Sequence, residues 1–213
     1  MPRVGGTKTP NLARIKGLGA THAIVNLDEN RREHAQALAD AGLSVIATHP
    51  QQPLDNLHLY RLLGGIFARE DAAQALCGAF SQALDELRSA VAGRPRKRVL
   101  YLIWRNPWMT VSAQTYIARC LAAAGLDTWA PDTGDRYPRI DLQRDAVEGV
   151  DAVLLSSEPY PFKARHAREV RDACARPELM VRTIDGEMTS WYGSRAIAGC
   201  RYLVRFAGEL RQD

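Results

Sequence analysis

The chain has 213 residues, and its 46% hydrophobic and 24% charged residues are the composition of a folded globular protein. This composition excludes disordered, collagen-like and coiled-coil chains, and the length permits one large domain or two lobes of roughly 100 residues each. The net charge of +4 is too small to indicate nucleic-acid binding by itself.

The first half of the sequence alternates between short apolar runs and helical patterns. Thr9 and Pro10 fit an N-cap followed by proline at the first helical position, which predicts a short helix. Strands are expected at 23–25 and 43–47, and a helix capped by Asp28 is expected between them. This order of strand, helix and strand favours a parallel sheet.

A long helix separates this half from a second series of strands and helices. Apolar residues recur at three- and four-residue steps over 70–91, which predicts one helix. The predicted elements that follow are strands at 99–103, 128–129, 152–155 and 179–181 and helices at 112–124, 141–147, 162–175 and 194–210. We therefore expect an α/β protein of two lobes with mostly parallel sheets, joined by one long helix. The expected divisions are a first lobe at 1–69, the helix at 70–93 and a second lobe at 94–213.

The sequence carries no motif typical of an enzyme or a metal centre. The patterns GxSxG, GxxxxGK[ST], HExxH and CxxC are absent, and the four cysteines lie far apart. We therefore expect no catalytic residue, no metal site and no intrinsic cofactor. The longest apolar run, 99–104, is far shorter than the roughly 18 residues that cross a bilayer, so no membrane insertion is expected.

Large aromatic residues cluster where strands end. Ligands of open parallel sheets bind beyond the carboxyl ends of the strands, and the segments 104–110, 156–162 and 185–195 contain three of the four tryptophans. Such rings can stack on a flat, partly apolar ligand, or they can seal the sheet as core residues. Glu158 and Arg195 can pair with each other or bind amides and carboxylates of a ligand. The candidate ligand-binding residues of this lobe are Trp104, Trp108, Glu158, Tyr160, Phe162, Trp191, Tyr192 and Arg195.

These segments, together with residues 4–8 and the long helix, resemble the cobalamin-binding and helical-backbone metal receptor group of ABC-transporter substrate-binding proteins. The resemblance covers residues 3–210. It implies a class III periplasmic binding fold, in which a rigid helix joins two α/β lobes and the ligand lies in the cleft between them. It also implies a monomer that captures cobalamin or a related metal chelate for an ABC permease, without chemistry and without binding nucleic acid.

The resemblance implies roles for individual residues. Trp191 matches a tryptophan that reaches into the corrinoid cleft, and the other second-lobe aromatic residues lie in loops similar to those that line it. From the first lobe, Lys8 and Asn26 would face the ligand. Glu29 or Glu33 would fit the acidic residue through which this lobe docks on the permease.

Other cargoes and one other class of protein remain open at this point. An iron siderophore or haem could bind to the same fold, favoured by basic residues in the cleft or by an axial histidine or tyrosine, respectively. An intracellular tetrapyrrole metal chelatase also has two α/β lobes, but it needs a histidine beside a carboxylate. A degenerate chain that binds nothing is the last alternative.

The resemblance implies a periplasmic location. Related chains carry an export signal, a strand and a helix before the segment that matches residues 4–6, so we expect a first lobe truncated at its N-terminus. If Met1 is the natural start, the expected location is instead the cytoplasm.

Overall fold

The computed structural model describes residues 2–144 and 149–210, and the chain divides into two compact units, Met1–His49 and Pro50–Asp213. This division differs from the expected boundary at residue 69. Two helices on either side of that residue, described below, pack against each other inside the second unit. The expected role of the long helix as a link between lobes stays a prediction.

The first unit is a small α/β arrangement built on a parallel strand pair. Its elements are β1 (Gly5–Gly6), β2 (Thr9–Pro10), α1 (Leu12–Lys16), β3 (His22–Asn26), α2 (Arg32–Ala39) and β4 (Ser44–Thr48). Strands β3 and β4 are parallel, with His22 opposite Ser44, which confirms the predicted parallel pairing. Helix α2 makes the crossover that parallel strands require and packs against β4.

Both predicted helix starts in this unit are wrong. Thr9–Pro10 forms a strand paired with β1, and α1 is capped by Asn11, whose side-chain oxygen accepts a hydrogen bond from Arg14 N at 2.9 Å. Asparagine caps helices as well as threonine does. Asn11 is the cap here because Thr9 is paired in β2, which ends just before it. Asp28 lies in a turn, and α2 begins four residues later without a side-chain cap.

The second unit holds a four-stranded sheet covered by helices. Its elements are α3 (Asp55–Ile66), α4 (Glu70–Val91), β5 (Lys97–Leu102), β6 (Trp108–Met109), α5 (Tyr116–Ala123), β7 (Leu126–Thr128), β8 (Arg139–Ile140), β9 (Ala152–Ser156), α6 (Arg165–Ala173), β10 (Met180–Ile184), α7 (Gly186–Ser190) and α8 (Arg195–Glu209).

The sheet has the order β10-β9-β5-β7, and every neighbouring pair is parallel. Alternate residues of β5 enter two separate cores: Val99 and Tyr101 face one, and Leu100 and Leu102 face the other. Burial on both faces is typical of parallel sheets and explains why β5 appears as an unbroken apolar run in the sequence. Because the strands are parallel, the segments that follow β5, β9 and β10 emerge at one edge.

The long predicted helix is confirmed as α4, whereas α3 was not predicted. Helix α4 packs against α3 and α8 in the larger core of the unit. Pro53 and the pair Gly64 and Gly65 give the α3 region the composition of a loop. Gly64 instead permits close packing, since a Cβ atom there would lie 2.6 Å from the Cβ of Ala73.

The other elements predicted for this unit are confirmed with shifted ends, with one exception. In the predicted helix 141–147, residues 142–144 form a turn and residues 145–147 lie outside the described residues. The four cysteines are free, and Cys77, Cys120 and Cys200 are buried, in agreement with their apolar helical patterns. None of the helices within the described ranges is long and apolar enough to cross a bilayer.

Candidate functional site

The candidate site of the second unit lies at the carboxyl edge of its sheet. The segments 104–110, 156–162 and 185–195 follow β5, β9 and β10, which are hydrogen-bonded neighbours in the order β10-β9-β5. The location of these loops beyond adjacent strand ends is the one predicted from the sequence. The structure then distinguishes the side chains that face solvent from those that pack inside.

Trp191 is exposed and held in place. The residue follows α7 directly, and its side chain is 48% exposed. Its indole Nε1 donates a hydrogen bond to Glu158 Oε1 at 2.6 Å, and the guanidinium carbon of Arg195 lies 5.6 Å from the ring centroid. The indole is therefore fixed at its edge by an acceptor and covered on one face by a cation.

The sequence left open a direct pair between Glu158 and Arg195. In the structure each of them has another partner. Glu158 Oε1 accepts a second hydrogen bond from Ser190 Oγ at 3.0 Å. Arg195 forms an ion pair with Glu187, with 3.2 Å between Arg195 Nη2 and Glu187 Oε2. The two candidate residues are thus connected through the Trp191 ring that lies between their groups.

A second group of aromatic rings divides between core and surface. Phe162 is 5% exposed and stacks on Trp108, with a centroid separation of 6.0 Å and an interplanar angle of 4°. Tyr160 lies 4.6 Å from Phe162, and Trp104 meets Tyr160 edge-on at 5.7 Å. Trp104 is 40% exposed, so it presents its ring to solvent while Phe162 supports the group from within the core.

The loop after Trp191 is anchored by α3, which the sequence did not predict. Gly193 N donates to Asn56 Oδ1 at 2.7 Å, and Tyr60 OH donates to Gly193 O at 2.8 Å. Tyr192 packs edge-on against Tyr116 at 5.9 Å. In the sequence, the only sign of this anchor is the spacing of four residues between Asn56 and Tyr60, which places both on one face of a helix.

A buried hydroxyl network lies directly beneath the site. Tyr101 OH donates to Ser156 Oγ at 3.0 Å and lies 2.6 Å from Thr189 Oγ1. Ser156 Oγ in turn donates to Glu158 O at 2.6 Å. Burial raises the pKa of Tyr101 to about 12, so its hydroxyl stays protonated at neutral pH.

The first-unit candidates come together in a separate network. Lys8 Nζ donates to Asp28 O at 2.6 Å, and Asn26 Oδ1 accepts from Asp28 N and Glu29 N at 2.9 and 3.2 Å. Asn26 therefore shapes the turn that carries Asp28 and Glu29. Glu33 lies exposed in the first turn of α2. Contact of Lys8 and Asn26 with a ligand, and of Glu29 or Glu33 with a permease, stays a prediction.

The arrangement around Trp191 suits non-covalent retention. It combines a flat, exposed apolar ring with carboxylate, guanidinium and hydroxyl groups, which are the kinds of group that orient a ligand in an apolar site. Across residues 2–144 and 149–210, no three histidine, cysteine, aspartate or glutamate residues cluster closely enough to hold a metal ion.

Comparison with known proteins identifies relatives at the level of family and fold. The sequence model of the periplasmic binding protein family matches residues 7–171. No curated protein matches the chain.

Solved structures similar to this chain are periplasmic binding proteins. The vitamin B12 binding protein BtuF of Vibrio cholerae is 15% identical with a TM-score of 0.83, over 100% of this chain and 84% of its own. The haem-binding protein RhuT from Roseiflexus sp. RS-1, in apo form, is 16% identical with a TM-score of 0.82, over 99% and 84%. The haem-binding protein HutB of Vibrio cholerae is 18% identical with a TM-score of 0.77, over 97% and 84%. At these identities the likeness shows the shared two-lobe α/β fold.

Proposed function

The chain belongs to the periplasmic binding protein family, and from this premise we propose that it captures cobalamin or a related metal chelate for an ABC importer without changing it chemically. BtuF is a vitamin B12 binding protein and HutB a haem-binding protein, and both ligands are large metal chelates. Their likeness to this chain supports the ligand class.

The exposed and fixed indole of Trp191 is the observation that carries this proposal. A corrinoid has broad apolar faces and a rim of amides, so one of its faces can stack on the ring while polar groups meet the rim. Trp104 adds a second exposed ring at the same sheet edge. Rings placed in this way bury large apolar area against a wide ligand, which is the main favourable contribution to its binding.

The charges around Trp191 favour a corrinoid over an anionic chelate. Glu158 accepts from the indole, and Arg195, which lies over the ring, is paired with a second carboxylate, Glu187. A ligand rich in carboxylate or catecholate oxygens would meet a net negative local charge, whereas amides and a cationic metal centre would not. Haem, whose two carboxylates this charge disfavours, is the second candidate because of the similarity to RhuT and HutB.

His166 does not supply the histidine that the tetrapyrrole chelatase alternative needs, although a histidine does lie beside a carboxylate in the first unit, where His49 Nε2 is 3.3 Å from Asp28 Oδ1. His166 is 5% exposed and packs edge-on against Phe162 at 5.5 Å. Its Nδ1 accepts a hydrogen bond from Lys163 N at 2.8 Å. This histidine is therefore committed to the start of α6, whereas a chelatase needs a histidine that reaches its substrate.

Replacing the central ring tests the proposal. Purified protein is mixed with aquocobalamin, haemin or a ferric siderophore, and tryptophan quenching and the visible spectrum of the retained ligand are followed. We expect Trp191→Ala to raise the dissociation constant for aquocobalamin by at least roughly tenfold, about 1.4 kcal/mol, because the stacking surface is lost.

Phe67→Ala is the matched control, because this aromatic residue is 57% exposed at the end of α3 and lies outside the candidate set. Its affinity should equal that of the wild type. An unchanged dissociation constant for Trp191→Ala would remove Trp191 from the site. Failure of the wild type to retain any of the three chelates would overturn the proposed function.

The proposal includes a partner and a compartment. We infer a periplasmic monomer that docks on its permease through Glu29 or Glu33, both of which are exposed in the first unit. Glu29 stands in the turn shaped by Asn26, and Glu33 projects from α2. Charge reversal at each position, assayed by permease binding, tests this part separately from ligand affinity.

A further inference from the structure

The carboxylate of Glu158 is engaged with its own protein. Its Oε1 atom accepts hydrogen bonds from Trp191 Nε1 at 2.6 Å and from Ser190 Oγ at 3.0 Å. The first contact is shorter than the usual 2.9–3.0 Å of an N–H···O bond. An oxygen that already accepts two donors has little capacity left for a ligand.

The position of Glu158 is itself tightly fixed. Its backbone carbonyl accepts a hydrogen bond from Ser156 Oγ at 2.6 Å, at the edge of the Tyr101 network. Its side chain lies against the start of α7, where a Cβ atom on Gly186 would be only 2.5 Å from Glu158 Cγ. The acceptor that meets the indole is therefore held by the sheet and by α7 rather than by a flexible loop.

Only one face of the Trp191 ring is available for stacking. Arg195 lies over the other face at 5.6 Å and is held there by its ion pair with Glu187. The indole is thus held at its edge by Glu158 and covered on one face by Arg195, while the residue as a whole is 48% exposed.

From these contacts we propose that Glu158 is a positioning residue, which holds the Trp191 indole in the orientation on which the ligand stacks. The inference rests on the proposed function, and it changes the role of Glu158 from ligand contact to support. A ring ordered before binding spares the complex the entropic cost of ordering it, so loss of the Oε1 acceptor weakens affinity through the ring.

Two substitutions at Glu158 separate hydrogen bonding from structural support. Glu158→Leu keeps the approximate size of the side chain but removes the acceptor, whereas Glu158→Gln keeps an amide oxygen that still accepts from Nε1. Glu86→Leu is the matched control, since Glu86 is exposed on α4 and accepts from Gln82 on the same helix. Thermal unfolding of each variant confirms that it is folded.

The first measurement is the ¹H–¹⁵N resonance of the Trp191 indole in the ligand-free protein, assigned by its absence in Trp191→Phe. We expect this resonance to shift upfield in Glu158→Leu, to stay near its wild-type position in Glu158→Gln, and to be unchanged in Glu86→Leu. If Glu158 only stabilised the fold, Glu158→Leu would not shift the indole resonance specifically. An unmoved resonance in Glu158→Leu would overturn the inference.

The second measurement is aquocobalamin affinity in the same set of proteins. Because an unordered ring must be ordered on binding, we expect Glu158→Leu to bind roughly three- to tenfold more weakly and Glu158→Gln to recover most of the loss. Wild-type affinity in Glu158→Leu would overturn the positioning role while leaving the proposed function intact. If the wild type retains no chelate, the proposed function fails, and the resonance alone decides whether Glu158 orients Trp191.

Discussion

Gly186 packs against Glu158 of the candidate site, so a larger residue there affects both the site and the stability of the fold. A Cβ atom there would lie 2.5 Å from Glu158 Cγ and 2.6 Å from Ser156 Oγ. We expect Gly186→Ala to lower the free energy of unfolding by about 1–3 kcal/mol, because the crowded atoms must shift. Urea denaturation measures this change.

Gly78→Ala is the control for this substitution. Gly78 lies exposed inside α4, and nothing stands within 4 Å of the position its Cβ atom would take. Alanine there should raise the free energy of unfolding by about 0.5–1 kcal/mol, since glycine is unfavourable inside helices. Equal stability of Gly186→Ala and the wild type would contradict close packing of Gly186 against Glu158.

At the level of single residues the sequence predicted the site segments better than the role of each side chain. Aromatic residues after strand ends indicated the segments, but the sequence could not tell that Phe162 is buried while Trp191 is exposed. The partners of Glu158 and Arg195 depend on how α7 and α8 pack, which is a tertiary property. Residue type alone permits either a direct pair or the observed arrangement.

At the level of elements, the hydroxyl of Tyr101 joins β5 to β9 through Ser156 and to α7 through Thr189. An unfolded tyrosine has a pKa near 10, and burial raises the pKa of Tyr101 to about 12. The folded protein thus holds this proton more tightly. The resulting contribution to stability is complete below about pH 10 and is lost as the pH rises towards about 12.

We therefore expect the free energy of unfolding of Tyr101→Phe to fall less steeply with pH in the window from about 10 to 12 than that of the wild type. Thr189→Val, which loses the hydrogen bond but keeps the phenol, should be less stable and retain the steeper slope. Chemical denaturation at several pH values makes the comparison. Identical slopes for Tyr101→Phe and the wild type would contradict this assignment.

The elements that the sequence predicted are set by short stretches of residues, whereas the one that it missed depends on tertiary packing. The apolar run of β5 and the helical period of α4 are properties of short windows, and both were found. Helix α3 was missed because its glycines and nearby prolines indicate a loop, although Gly64 serves helix packing. The start of α1 was misplaced because Thr9 and Asn11 are both good caps and only β-pairing of Thr9 decides between them.

For the whole molecule, the two units differ in the amount of apolar core that each contains. The buried apolar residues described in the first unit are Leu38 and Leu43, whereas the second unit has two extensive cores and a β9 strand buried throughout. Regions with few buried apolar contacts open at low free-energy cost. We expect the amides of β3 to exchange with deuterium faster than those of β9 at neutral pH.

Hydrogen–deuterium exchange read by mass spectrometry checks this difference. Peptides covering α2 should follow β3, and peptides covering β5 should follow β9, because each pair shares a unit. Equal protection in β3 and β9 would mean that the chain opens as a single cooperative body.

The strands of the second unit carry apolar side chains on both faces, and the groups proposed to meet a ligand begin only where those strands stop. The proposed ligand contacts and the strands that form most of the core therefore lie in different stretches of the chain, and Phe162 belongs to both. Substitutions in the segments 104–110, 156–162 and 185–195 can change the ligand contacts while the buried strands stay the same. This arrangement agrees with a fold that the chain shares with BtuF and HutB at only 15% and 18% identity.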